Sequence, residues 1–236
     1  MNPQLFGTEH ILYIVISTLL GGISLFAAKK WLKGEKSIAL FIKIIAFLLL
    51  ASIMANRLSQ VFRYDEVRWY CIIPDSICGM TSLVFSLAAL FGKKNNAFLH
   101  PMWLLGLFGG VSTVIYATFV GQGPTLFYLP TITGLLHHSL SALLAVAVLM
   151  LGYINITYKK WHYTLFGVTA YVTLGAFLMQ AFDMSDAFHI AEPLLEGTPL
   201  TIWVMAPIYL VCYGVILAVI EAVRKHKNKD GKINEN

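Results

Sequence analysis

Charge is what this sequence has least of. Only 12% of its 236 residues are Asp, Glu, Lys or Arg, 58% are hydrophobic, and the mean hydropathy is +0.71. A soluble domain carries about 25% charged residues, so a water-soluble globule is excluded and an integral membrane protein is expected. Cysteine is scarce too: Cys71, Cys78 and Cys212 have no CxxC or zinc-ligand spacing, which excludes a disulfide framework. No basic segment precedes the first apolar run, and no clear small-residue cleavage site follows it, so no cleavable signal peptide is expected. Repeats and low-complexity tracts are missing. The last apolar run, TIWVMAPIYLVCYGVILAVIEAV, has no lysine for a retinal Schiff base. The net charge of +5 is not a nucleic-acid signal, because the basic residues sit in short loops and a C-terminal tail.

Long apolar runs are what the chain does have. Runs of roughly 20 residues suffice to cross the hydrocarbon core as helices. Seven can be drawn: His10–Ala28, Ile38–Asn56, Trp69–Phe91, Leu99–Val120, Thr131–Ile154, Tyr163–Phe182 and Leu200–Val223. The expected fold is an all-α bundle of seven transmembrane helices over residues 1–223, followed by a basic, disordered tail over 224–236. Lys29, Lys30, Lys33 and Lys36, then Lys93 and Lys94, then Lys159 and Lys160, and finally the tail all fall on one side. The positive-inside rule makes that side the cytoplasm, with the N-terminus outside and the C-terminus inside. A bacterial plasma membrane is the expected location. One external segment dissents, where Arg57, Arg63 and Arg68 flank Asp65 and Glu66; local ion pairing or an anionic lipid headgroup accounts for it.

Polar residues inside the spans gather toward the outer side. His10 lies on span one, Asn56 and Arg57 on span two, Asp75, Ser76 and Cys78 on span three, His137 and His138 on span five, and Asp183 after span six. At about 1.5 Å per helical residue, Cys78 lies roughly 13 Å below the outer boundary and the histidine pair roughly 10 Å. Ionisable groups inside a membrane face a bundle interior or water, so a cavity opening outward is expected. Asp75 and Cys78, three apart, share a helix face, and Pro74 permits a kink between helix turns. Asp75 either lines the pocket or pairs with Arg57 to fix packing. Lys43 and Glu221 are the main exceptions, near the cytoplasmic ends.

A thiol beside an imidazole is the minimal covalent-catalysis pair: histidine takes the proton, and thiolate attacks an ester carbonyl. Asp75, Asn56 or Asp183 is available to orient the imidazole. The depth suits the glycerol esters of a membrane lipid, so the expected partners are lipids, with no cofactor and no metal.

The stretches LFGTEHILYIVIS, IIPDSICGMTSLVFSLAAL and GLLHHSLSALLAVAVL resemble the YwaF-like family of bacterial membrane proteins. That family is related to a vertebrate seven-span acyltransferase of ether phospholipids. It is similar, more remotely, to the androgen-induced hydrolases of fatty-acid esters of hydroxy fatty acids. The resemblance covers most of the chain by span order and length, through short motifs. It implies a cysteine nucleophile at Cys78, four residues after Pro74, and a histidine base at His138, before Ser139. The family usually has Leu-His between that proline and cysteine, where this chain has Asp75 and Ser76. Its Asn-Tyr-rich segment after span six is replaced here by AFDMSDAFHIAEPLLEGTPL.

Two other readings compete. One is a lipid- or small-molecule-binding or transport protein in which acidic and histidine residues relay protons. The other is a seven-span zinc hydrolase with ligands drawn from His10, Asp75, His137, His138, Asp183 and His189. Against zinc, no HxxxH stands on one helix face, and adjacent histidines diverge by about 100° on a helix.

Overall fold

The structure, a computed structural model, describes residues 5–63, 66–120, 123 and 125–233. The chain divides into two compact units, Met1–Ile154 and Asn155–Asn236. Among the described residues the regular structure is helical.

The first unit holds α1 (Thr8–Trp31), α2 (Glu35–Val61), α3 (Ile77–Phe91), α4 (Leu99–Ile115) and α5 (Leu129–Met150). On α2 the buried residues Ile42, Ile45, Ala46, Leu49 and Ile53 recur at helical spacing and make one apolar stripe. That stripe, Phe85 and Ala89 of α3, Leu99 to Leu104 of α4 and Leu144 to Val148 of α5 supply the buried core. α5 packs against α1, α2, α3 and α4. The reverse face of α1 shows Ile16, Leu20, Ile23 and Phe26 to the surroundings, each more than half exposed. A surface of that extent belongs in lipid.

The second unit consists of α6 (Trp161–Phe182), a long connection, and α7 (Ile202–Ile233). Asp183 ends α6 in the left-handed conformation at φ 51°. The connection then folds onto α6, where Phe188 meets Tyr171 edge-on at 5.3 Å and Ile190 and Phe188 crowd the bare face of Gly175. The backbone helix of α7 continues into the basic tail as far as Ile233. Residues 234–236 lie outside the described residues, as does Asp65, the expected local partner of the external arginines.

Five helices are long and apolar enough to cross a membrane: α1, α2, α5, α6 with its leading turn, and α7 as far as Val223. α3 and α4 are apolar but have only 15 and 17 residues. A helix of 15 residues reaches about 22 Å, less than the ~30 Å hydrocarbon core. Both were drawn longer from the sequence. In α4 the helix stops at Ile115 and a 3-10 turn, Ala117–Phe119, follows. In the third run a 3-10 turn, Trp69–Ile72, comes first, then extended Ile73 at φ −84° and ψ 124°. Proline drives the residue before it out of the helical region and donates no hydrogen bond. Pro74 therefore stops one helical segment, and α3 starts afresh beyond it.

Candidate functional site

The late start of α3 sets the site. Ser76 is its N-cap, with extended backbone and a hydroxyl that accepts from the Gly79 N–H at 3.2 Å. Capping of this kind satisfies a donor that the helix itself leaves open. Cys78 consequently occupies the first turn of α3, at the end of the helix that attracts negative charge. Its side chain turns to α4. A Cβ added at Gly109 would stand 2.9 Å from the Cys78 sulfur, and the Thr113 side chain, one turn along α4, hydrogen-bonds the thiol.

α5 brings the histidines to the same neighbourhood. The His138 imidazole lies against the backbone of Gly109. Thiol and imidazole, from two helices, thus meet one residue of a third. His137 Nδ1 lies 3.2 Å from the Ser82 hydroxyl of α3. The two imidazoles lie 4.2 Å apart, centre to centre. Adjacent residues diverge on a helix, yet these side chains are long enough for the rings to converge.

Close approach of α4 and α5 makes this possible. A Cβ on Gly110 would fall 2.6 Å from the His138 carbonyl oxygen and 2.9 Å from the Ala142 nitrogen. On Gly106 it would fall 2.8 Å from the Ser141 hydroxyl. Two glycines four apart let helix backbones touch inside a membrane.

A cavity of about 360 Å³ opens between α2, the start of α3 and α5. Asn56, Arg57, Asp75, Ser76, His137 and His138 all line it, with Gln60 and Arg63 among the remaining lining groups. Arg57 is buried; its Nε donates to the Cys71 carbonyl at 2.9 Å, and its Nη1 to the Asp75 carboxylate at 3.2 Å. This one side chain pins the irregular segment before α3 to α2. Asn56 donates to the Pro130 carbonyl at 3.1 Å and to the Thr133 hydroxyl at 3.2 Å, tying α2 to the start of α5.

The sequence-nominated residues are therefore distributed as follows. Asp75, Ser76, Asn56, Arg57, His137 and His138 share the cavity; Cys78 is not in its lining and sits behind it, against α4. His10 is buried elsewhere in the same unit. Its Nδ1 accepts from the Phe6 N–H at 3.1 Å, and its Nε2 lies 2.8 Å from the Val114 carbonyl. Both ring nitrogens are engaged, so His10 clips α1 to α4. Asp183 and His189 belong to the second unit, where His189 Nδ1 lies 3.8 Å from Asp186. Among the described residues no three His, Cys, Asp or Glu side chains come together as a metal site. Of the groups offered to orient His138, Asp75 serves Arg57, Asn56 serves α5, and Asp183 belongs to the second unit. Gly109, Thr113 and Ser82 were missed from the sequence. The small-residue spacing Gly106–Gly109–Gly110 was a readable signal for the first; nothing local marks the other two. Comparison of the chain with protein-family models, with curated proteins and with solved structures finds no match.

Proposed function

We propose that the chain is a polytopic membrane enzyme that transfers or hydrolyses an acyl ester of a membrane lipid, with Cys78 as nucleophile and His138 as base. The observation that carries this reading is the meeting of the Cys78 sulfur and the His138 imidazole at Gly109. The chemistry follows from the groups there. The unprotonated nitrogen of His138 takes the thiol proton, and the sulfur attacks the ester carbonyl carbon, forming the C–S bond. Thr113 and the first turn of α3 stabilise negative charge at sulfur. The C–O bond then breaks, and the imidazolium returns its proton to the leaving alcohol. Water, or the hydroxyl of a second lipid, next attacks the thioester carbonyl while His138 accepts its proton; the C–S bond then breaks, and the imidazolium returns that proton to the Cys78 thiolate. The first acceptor makes a hydrolase, the second a transferase. The resemblance to the YwaF-like family at Pro74, Cys78 and His138 points the same way.

In this reading all seven helices cross the bacterial plasma membrane, N-terminus outside and C-terminus in the cytoplasm, and the cavity opens outward. Short α3 fits that arrangement. Non-helical backbone is tolerated at membrane depth where it lines a wet cavity, and Asp75 and Ser76, just before α3, line this one.

One observation favours a second reading, a binding or transport protein: the cavity is lined by both histidines but not by the thiol. Lipid mass spectrometry of proteoliposomes separates the two. With mixed phospholipid and lysophospholipid, wild type is expected to remodel acyl chains and Cys78→Ala to leave them unchanged. Identical lipid profiles from two folded proteins would overturn the enzyme. Solute flux without lipid turnover would establish the transporter.

A further inference from the structure

At the opposite end of the first unit lies a second cavity, about 430 Å³, walled by the start of α2, the end of α3 and the end of α5. Three lysines, Lys43, Lys93 and Lys94, line it against one acidic residue, Glu35, and all four are exposed. Glu35 already holds Lys94, at 2.7 Å. Lys43 and Lys93 have no carboxylate within 4.0 Å among the described residues. Lys43 is the telling one. It stands eight residues into α2, roughly 12 Å along the helix from Glu35, inside a run apolar enough to span a membrane. A lysine at such a position is costly, and it normally faces a partner or a water-filled space. Glu35, Ala39 and Lys43 follow one another at four-residue spacing, so all three look into the cavity from one face of α2.

The rest of the wall is built to match. α5 ends in a Schellman arrangement, the Tyr153 N–H on the Val148 carbonyl at 2.9 Å and the Gly152 N–H on the Leu149 carbonyl at 3.1 Å, with Gly152 at φ +63°. This cap delivers Leu151 and Tyr153 to the cavity. Asn96 closes the end of α3 by donating to the Ala88 and Lys93 carbonyls at 3.1 and 2.8 Å, so those acceptors do not compete for the lysines. Ile38, Ala39, Phe91 and Leu151 make the remaining surface apolar.

We propose that this cavity is a binding site for a phosphate group, held by Lys43 and Lys93 with the Tyr153 hydroxyl as a further donor. The phosphate is that of a lipid headgroup or of a soluble phosphate. The site is separate from the histidine cavity and does not depend on the acyl chemistry proposed there.

The test uses the full chain in nanodiscs of phosphatidylcholine alone, phosphatidylcholine with phosphatidic acid, or phosphatidylcholine with inorganic phosphate added to the buffer. Native mass spectrometry counts retained lipid, and thermal unfolding reports binding of either source. Wild type is expected to retain phosphatidic acid over phosphatidylcholine. Lys43→Met and, separately, Lys93→Gln are each expected to lower that retention about fivefold, the loss of one lysine–anion contact near a membrane surface. Stabilisation by inorganic phosphate that Lys43→Met removes would assign the site to the soluble source. Stabilisation by phosphatidic acid alone assigns it to the lipid. No response to either probe, or responses equal in wild type and both variants, overturns the proposal. Lys93→Gln changes a side chain at the helix end, so it keeps the test valid should Lys43→Met fail to fold.

Discussion

At the histidine end of the first unit, Asn56, Arg57, His137 and His138 each have a partner on another helix or on the segment before α3. At the lysine end, Lys43 and Lys93 have no carboxylate partner among the described residues, and the Lys94–Glu35 pair is exposed. Both ends are cavities of similar size in one bundle. They differ in what their polar groups have left to offer. The first is preorganised: its hydrogen bonds fix side-chain orientation and backbone course in advance, as the proposed chemistry on a bound ester requires. The second has cationic groups in want of an anion, which is the condition for binding and not for reaction.

The largest effect that can break this contrast is on turnover. If the proposed acyl chemistry holds, Cys78→Ala lowers acyl transfer about a thousandfold or more, since removing a covalent nucleophile eliminates the pathway rather than weakening it. Lys43→Met is expected to leave the same assay unchanged. Equal loss in both variants, measured by lipid mass spectrometry of proteoliposomes, would mean that the two cavities are not separate sites.

Next comes the helix crossing that assembles the histidine end. Gly110→Ala places a methyl group against two backbone atoms of α5 that cannot rotate away, and is expected to destabilise by about 3 kcal/mol. Gly22→Ala, where a Cβ meets nothing within 4 Å, is the control and should be neutral or stabilising by up to ~1 kcal/mol, as for a helical glycine with open space. Unfolding in detergent measures both. A harmless Gly110→Ala would show that α4 and α5 have room to spare, and that the convergence at Gly109 is not tightly held.

Much of this arrangement could be read from residues alone. The stripe Ile42, Ile45, Ala46, Leu49, Ile53 follows the helical period, and the gathering of Asn56, Arg57, Asp75, His137 and His138 was visible as polarity in otherwise apolar runs. The break at Pro74 was half visible. Its ring suggested a kink in one continuous helix, whereas in the structure a new helix starts beyond it with Ser76 as N-cap. Counting helical rise from Trp69 to Cys78 therefore fails, because the first part of that path is a 3-10 turn and an extended link. The direction of the Cys78 side chain was not legible. It depends on which face of α3 meets α4, and that is settled by Gly109 and Thr113, far away in sequence.

A smaller effect sharpens the contrast between partnered and unpartnered cations. Arg57→Met removes a donor from the part-buried Cys71 carbonyl, and is expected to cost about 2 kcal/mol, as for a hydrogen bond from a charged group. The Asp75 carboxylate it also releases is half exposed and adds little, because water replaces the lost partner. Asp75→Asn should accordingly stay below ~1 kcal/mol. Lys43→Met is expected to be neutral or stabilising in a neutral detergent, since it removes a cation without a partner from an apolar run. Chemical denaturation of the three variants ranks them, and a Lys43→Met that destabilises as much as Arg57→Met would mean that Lys43 is engaged after all.

The smallest expected effect concerns Ser82, which lies behind His137 and outside the cavity lining. Ser82→Ala loses one neutral hydrogen bond, worth about 1 kcal/mol. Stability alone does not show whether that bond merely packs the helices or also sets the histidine. The nitrogen chemical shifts of His137 do. With the hydroxyl present, Nδ1 has a fixed partner and Nε2 alone faces other surroundings; with alanine, the proton is free to redistribute between the two. Ser82→Thr keeps the hydroxyl at the same carbon and should restore the wild-type shifts, whatever its effect on packing. If alanine and threonine variants gave the same His137 spectrum as wild type, the hydroxyl would be a packing group, and preorganisation at this end would reside in Arg57 and Asn56.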